Sequence, residues 1–244
     1  IIIVLDQSGS MDGTKWEQAQ EAASYVLGEL NSRDRFNVIL FSTGWRVFSN
    51  ELESASVADE AQDWIDGMFP EGGTDINGAL LTALDMVDTA SERPTTILFL
   101  TDGLPTEGET DPDDIVANIE AAAPSSVRIF GFGVGDDVDT FLLDQVAQAL
   151  RGTTSYVRPS ERIDEEVASL YNRISAPVLT DVELEIDGTR IEMLYPAEPL
   201  PDLFAGTQLT LVGRYRDAVD DATVRLTGVV NGERQTFVYD GFSF

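Results

Sequence analysis

The sequence predicts an α/β fold: a doubly wound, mostly parallel sheet flanked by helices, followed by a small antiparallel β module. Three observations predict it. Short apolar runs alternate with amphipathic helical periods through residues 1–175. Nearly unbroken apolar runs, such as Ile1–Leu5 and Thr95–Thr101, suit strands covered on both faces, as in the middle of a parallel sheet. After Pro177 the period changes from helical to two, which is the signature of half-buried antiparallel strands.

In chain order, Ile1–Leu5 reads as the first strand. Trp16, Ala19, Ala22, Ala23, Val26, Leu27 and Leu30 then fall at helical spacing. Phe36–Phe41 is the next strand, and Trp45–Phe48 pairs with it as a hairpin or edge strand. Val57–Met68 reads as a short helix, and Ile76, Ala79, Leu80, Ala83, Leu84 and Val87 mark another. Thr95–Thr101 is a central strand, and Ile115–Ala123 a helix stopped by Pro124. Val127–Val134 (strand), Thr140–Leu150 (helix), Ser155–Val157 (strand) and Ile163–Ile174 (helix) complete the alternation. In the β module, Val182, Leu184 and Ile186 alternate with Asp181, Glu183, Glu185 and Asp187. Asp187-Gly188 and Asn231-Gly232 read as hairpin turns. Leu209/Leu211, Val224/Leu226 and Phe237/Tyr239 supply further alternating pairs. The expected domains are 1–176 and 177–244.

The 244 residues, 43% of them hydrophobic, suffice for one sizeable core, or for a core and a small second module. No stretch approaches the roughly 20 consecutive apolar residues of a membrane span, and no secretory leader is present. The chain starts inside a strand without an initiator Met, so it reads as a piece of a longer protein. It contains no Cys and no His. Thiol catalysis, disulfides, Ser-His-Asp triads and the usual zinc sites are therefore excluded, while oxygen-only metal chemistry stays open. A net charge of -29 makes nucleic acid and anionic membrane surfaces poor partners. Acidic bias with a single Lys, Lys15, also resembles proteins from salty habitats.

Three loops carry candidate chemistry. Asp6-Gln7-Ser8-Gly9-Ser10 follows the first strand, with one carboxylate and two hydroxyls at alternate positions. Gly72-Gly73-Thr74-Asp75 opens the helix bearing Ile76 and Leu80. Thr101-Asp102-Gly103 follows the strand Ile97–Leu100. In a doubly wound sheet, ligands bind beyond the carboxyl ends of the strands, where the winding reverses. Hydroxyls and carboxylates are the hard oxygen ligands that a magnesium-like cation prefers. Each loop alone has a plainer reading. Ser8 and Ser10 would cap the helix starting near Thr14, Thr74 would be an N-cap, and Asp102-Gly103 a turn. Together they point to a cation, because adjacent carboxylates repel unless one lies between them.

Asp6-x-Ser8-x-Ser10, Thr74 and Asp102 resemble the metal-ion-dependent adhesion site of von Willebrand factor type A domains, which have a Rossmann-like fold; the resemblance covers residues 1–175. A narrower one rests on four segments: Ser32–Asn37, Gly72–Asn77, Leu100–Thr110 and Gly131-Phe132-Gly133. These are similar to the heavy chains of inter-alpha-trypsin inhibitor and their bacterial or archaeal relatives. Leu203–Leu209 is similar to the β module that follows the α/β domain there. The resemblance implies that Asp6, Ser8, Ser10, Thr74 and Asp102 hold a divalent cation, Mg²⁺ foremost, with Mn²⁺ or Ca²⁺ as alternatives. It implies capture of a Glu or Asp from a partner protein, no catalytic residue, and an extracellular, cell-surface or periplasmic setting. Asp75 is expected to stay off the metal and Asp12 to cap the following helix. The β module is expected to pack on the α/β domain, or to complete a sheet with or pack on sequence outside this chain, such as the β-rich domain that precedes this region in the family. Three rival functions are a module whose metal only stabilises the fold, a metal-dependent phosphohydrolase, and an accessory subunit of an ATP-driven machine.

Overall fold

Five consecutive buried residues place β1 (Ile2–Asp6) in the middle of the first sheet, where a strand is covered on both faces. The structure, a computed structural model, describes residues 1–244 except 91–92, 137, 159–160, 175–176, 205–207 and 231–232. The chain divides into two units, Ile1–Tyr171 and Asn172–Phe244.

In the first unit, β1 is followed by α1 (Thr14–Gly28), β2 (Arg35–Phe41), β3 (Trp45–Val47), β4 (Glu53–Ser54), α2 (Ala58–Asp66) and α3 (Ile76–Asp85). Then come β5 (Thr95–Thr101), α4 (Pro112–Ala122), β6 (Val127–Val134), α5 (Thr140–Ala149), β7 (Thr154–Val157) and α6 (Ile163–Ile174), which continues past the unit boundary. The strand order is β3-β2-β1-β5-β6-β7, with β4 also on β2. β1, β2, β5, β6 and β7 are parallel, while β3 and β4 pair antiparallel with β2. The winding reverses between β1 and β5, so their carboxyl ends flank the crevice where such sheets bind ligands.

Side chains two apart share a face. Ile2, Val4, Ile39, Phe41, Ile97 and Phe99 form one core layer with Ile76, Leu80, Ile115 and Leu142 from the helices. Ile3, Leu5, Val38, Leu40, Leu98 and Leu100 alternate with them and are equally buried. Each such side chain contributes roughly 1.5–3 kcal/mol relative to exposure. α1 buries Trp16, Ala19, Ala22, Ala23, Val26 and Leu27, the face expected from its period.

The second unit contains β8 (Pro177–Ile186), β9 (Ile191–Tyr195), β10 (Leu203–Phe204), β11 (Val212–Tyr215), β12 (Ala222–Val230) and β13 (Glu233–Phe242). One antiparallel sheet has the order β10-β8-β12-β13, and β9 pairs with β11 in another. Leu179, Val182 and Leu200 form its small core. Leu209 and Leu211 pack there too, but from irregular backbone rather than the expected strand.

The hairpin expected at Asp187-Gly188 does not form. The chain turns there, with Gly188 at φ 88°, but β8 and β9 lie in different sheets because β10 and β12 take both edges of β8. β12 and β13 do pair antiparallel, with Val230 opposite Glu233; Asn231-Gly232 lie outside the described residues, as do Ala205, Gly206 and Thr207 of the Leu203–Leu209 segment.

Candidate metal centre

β1 delivers Asp6 to the rim of the sheet fully buried. Asp6 Oδ1 accepts from the Ser8 N–H (2.7 Å), which bends the chain so that Ser8 and Ser10 face back toward the strand end. Asp6 Oδ2 accepts from Thr101 Oγ1 (2.6 Å), the last residue of β5. The hydroxyls of Ser8 and Ser10 lie 3.0 Å apart, and Ser10 Oγ donates to Asp102 Oδ1 (2.7 Å). A continuous polar chain therefore runs between the two carboxylates across the switch point.

Thr74 is brought in by the loop before α3. Gln7 Nε2 donates to the Phe69 carbonyl, Glu71 N–H to the Gln7 carbonyl (2.8 Å) and Gly9 N–H to the Gly72 carbonyl (3.1 Å). These bonds lace that loop to the Asp6–Ser10 turn. Gly72 sits at φ 83°, and a Cβ there would lie 2.8 Å from Thr43 Oγ1, so glycine is required on both counts. The Thr74 backbone is clamped on both sides. Its N–H donates to Thr106 Oγ1 (2.9 Å), and its carbonyl accepts from the N–H of Thr106 (2.9 Å) and of Glu107 (3.2 Å).

The Thr74 and Ser10 hydroxyls converge on one point: a Cβ added at Gly103 would lie 3.7 Å from Thr74 Oγ1 and 3.8 Å from Ser10 Oγ. All five expected residues are thus gathered at one place. Asp6, Ser8, Thr74 and Asp102 are buried there, and Ser10 is exposed at the mouth.

Asp75 is not among them. Its carboxylate accepts from the Gly78 N–H (2.8 Å) as the N-cap of α3. Asp12 does not cap α1, because Gly13 occupies the N-cap position at φ 83° with no side-chain bond. Ser8 and Ser10 do not cap α1 either.

Sequence reasoning missed the supports. Thr101 holds Asp6, Thr106 holds Thr74, and Lys15 bonds Asp102 Oδ2 at 2.5 Å. Lys15 carried one signal: it is the single lysine, five residues beyond the serine motif.

Burial, the dominant effect, pushes the Asp6 carboxyl up to about 6, opposed by hydrogen bonds from Ser8 and Thr101 and reinforced by the nearby Asp102 charge. A cation would relieve that desolvation. Among the described residues there is no group of three or more His, Cys, Asp or Glu able to hold a metal. The donor set is two carboxylates and three hydroxyls with the small Gly103 beside them, and it fits a hard, oxygen-seeking divalent ion.

A doubly wound α/β sheet with hard oxygens gathered at its switch point defines an open-sheet ligand-binding domain. The profile of the von Willebrand factor type A domain matches residues 1–167, and the chain belongs to that family. Domains of this family are commonly metal-dependent adhesion and protein-interaction modules. Among its relatives, human inter-alpha-trypsin inhibitor heavy chain H6 is 31% identical over 93% of this chain and 18% of its own length. Human heavy chain H4 is 31% identical over 97% of this chain and 26% of its own. The chain thus spans about a fifth to a quarter of these relatives. Among solved structures, a von Willebrand factor type A protein from Catenulispora acidiphila superposes with a TM-score of 0.74 at 21% identity, over 98% of this chain and 64% of that one. Proximal thread matrix protein 1 from the mussel byssus, with a zinc-occupied metal-ion-dependent adhesion site, superposes at 0.57 with 20% identity, over 70% of this chain and 44% of that one.

Proposed function

We propose that this chain is a metal-dependent protein-binding module in which Asp6, Ser8, Ser10, Thr74 and Asp102 hold a divalent cation, Mg²⁺ foremost. The partner it captures is a protein presenting a Glu or Asp side chain. The observation that carries this reading is the convergence of three hydroxyls and two carboxylates from β1, β5 and the start of α3. A bound divalent ion would supply an electrophilic coordination position for the partner's carboxylate oxygen.

The chain's own residues explain why that position suits an anion. Three of the five donors are neutral hydroxyls, so no more than two carboxylates offset the ion's charge, and a coordination position left open on a hard cation favours an anionic oxygen over a neutral one. Thr101 and Thr106 fix the donors in advance, which reduces the entropy lost on binding. Binding fits better than phosphoryl transfer. A transferred phosphoryl group needs a positive group to stabilise it, whereas the single lysine, Lys15, is bonded to Asp102 and the sequence has no Gly-rich phosphate loop carrying a lysine. We also assign residues 1–176 to the binding domain and 177–244 to a separate β module.

The test is a pull-down from the native source with and without EDTA, using wild type and Asp6→Ala. A partner retained only by wild type in Mg²⁺ supports the reading. Retention that ignores both EDTA and Asp6→Ala overturns it.

A further inference from the structure

Fourteen of the fifteen cationic residues are Arg; the one Lys stands at the metal centre. Lys15 is the second residue of α1, and its Nζ lies 2.5 Å from Asp102 Oδ2 and 3.3 Å from the Ser10 carbonyl. The Asp102 side chain is fully buried, whereas Lys15 keeps a quarter of its side-chain surface in water. The lysine thus reaches inward from the rim to a carboxylate that solvent does not touch.

The surroundings accommodate that reach. The residue following β6 is Gly135, at φ 101°, and a Cβ there would lie 3.3 Å from Lys15 Cε and 3.4 Å from Nζ. The end of β6 therefore passes the lysine stem at the one residue type that leaves it room.

The two oxygens of Asp102 are shared between different donors. Oδ1 receives the Ser10 hydroxyl and Oδ2 the ammonium. The ammonium thereby compensates the buried charge that would otherwise stand unpaired beside Asp6. Lys differs from Arg here in a useful way. It is a compact point charge on a flexible stem, and it withdraws from a carboxylate more readily than a bidentate guanidinium does.

We propose that Lys15 is a tethered counter-ion that competes with the divalent cation for Asp102. In the absence of a divalent ion it keeps the carboxylate and the Ser8–Ser10 hydroxyls assembled. When an ion binds, the like charge of the ammonium opposes it and lowers the affinity, which keeps capture of the ion reversible. This inference rests on the metal reading above.

Titration of purified protein with MnCl₂ by calorimetry, together with thermal melts in EDTA, tests it. Lys15→Gln binds Mn²⁺ roughly 10- to 100-fold more tightly than wild type, because a full positive charge has been removed from beside a ligand. In EDTA its melting temperature falls below that of wild type, and saturating Mn²⁺ closes the gap. Lys15→Arg, which keeps the charge and holds the carboxylate with a fork, binds no more tightly than wild type. An equal or weaker affinity for Lys15→Gln overturns the proposal, as does Lys15→Arg matching the tight binding of Lys15→Gln. A Lys15→Gln protein unfolded both with and without Mn²⁺ also overturns it, since the ion would then be unable to replace the lysine. If neither wild type nor Lys15→Gln takes up Mn²⁺, the metal reading itself fails. If wild type binds and Lys15→Gln binds no tighter, only the role of Lys15 fails.

Discussion

Asp6 and Asp102 are buried to the same degree but compensated differently, and substitutions should separate them. Asp102 has an ammonium on one oxygen, whereas Asp6 has only neutral donors. The raised pKa of Asp6 means that folding disfavours its ionised form. Asp6→Asn, isosteric and neutral, should therefore stabilise the protein in EDTA by about 2 kcal/mol while reducing Mn²⁺ affinity by at least about 100-fold. Thermal melts and calorimetry on the same variant check both halves. Asp102→Asn should lose the affinity without the gain, because it strands Lys15. The ligand residues were legible in the sequence because their side-chain types and spacing already state the chemistry. Thr101 and Thr106 were not, since each acts through a hydrogen bond to a residue distant in the chain, 95 positions away for Thr101 and 32 for Thr106. Asp12 misled for a local reason: the chain turns one residue later, at Gly13, whose positive φ takes the cap position.

At the scale of elements, the start of α3 does two tasks with adjacent residues, and they should come apart. Asp75→Ala removes the N-cap and should destabilise the fold by about 1 kcal/mol, with Mn²⁺ affinity within about threefold of wild type. Chemical denaturation and calorimetry distinguish this from a residue that touches the ion. Gly103→Val fills the space facing Thr74 and Ser10 and should weaken Mn²⁺ binding by about tenfold or more, with the circular dichroism spectrum unchanged. Gly152→Ala should do the reverse. A Cβ there would lie 1.6 Å from the Ile129 carbonyl oxygen, so the contact between β6 and the segment after α5 must shift, a loss of several kcal/mol visible in any denaturation curve. The strands of the parallel sheet were legible in outline, and Thr95–Thr101 and Val127–Val134 to the residue, because burial on both faces writes an unbroken apolar run. The two-residue β4 leaves no such trace. Pairing in the β module was hidden for another reason: which strand joins β8 is decided by residues some twenty and forty positions onward, not by the turn that follows it.

The molecule as a whole is dominated by its net charge of -29. Self-repulsion at that level weakens the compact state and is screened by salt over a Debye length of about 8 Å at physiological ionic strength. The melting temperature should rise by several degrees from low to molar KCl, and partner association at constant Mg²⁺ should rise with it; association that falls steeply with salt would count against a partner docking through an acidic side chain. A chain ending at Ala176 should retain the Mn²⁺ affinity of the longer one if the binding domain is self-sufficient, which calorimetry on the truncated protein decides. One feature of the fold also makes the molecule readable without a label. Trp45 keeps about half its surface in water, and its ring edge lies against Gly78, beside the carboxylate of Asp75 and one residue from Thr74. Trp16 and Trp64 are more enclosed. An indole so placed changes its emission when its polar neighbours shift, so intrinsic fluorescence excited at the red edge offers an optical gauge of ion uptake in the native sequence.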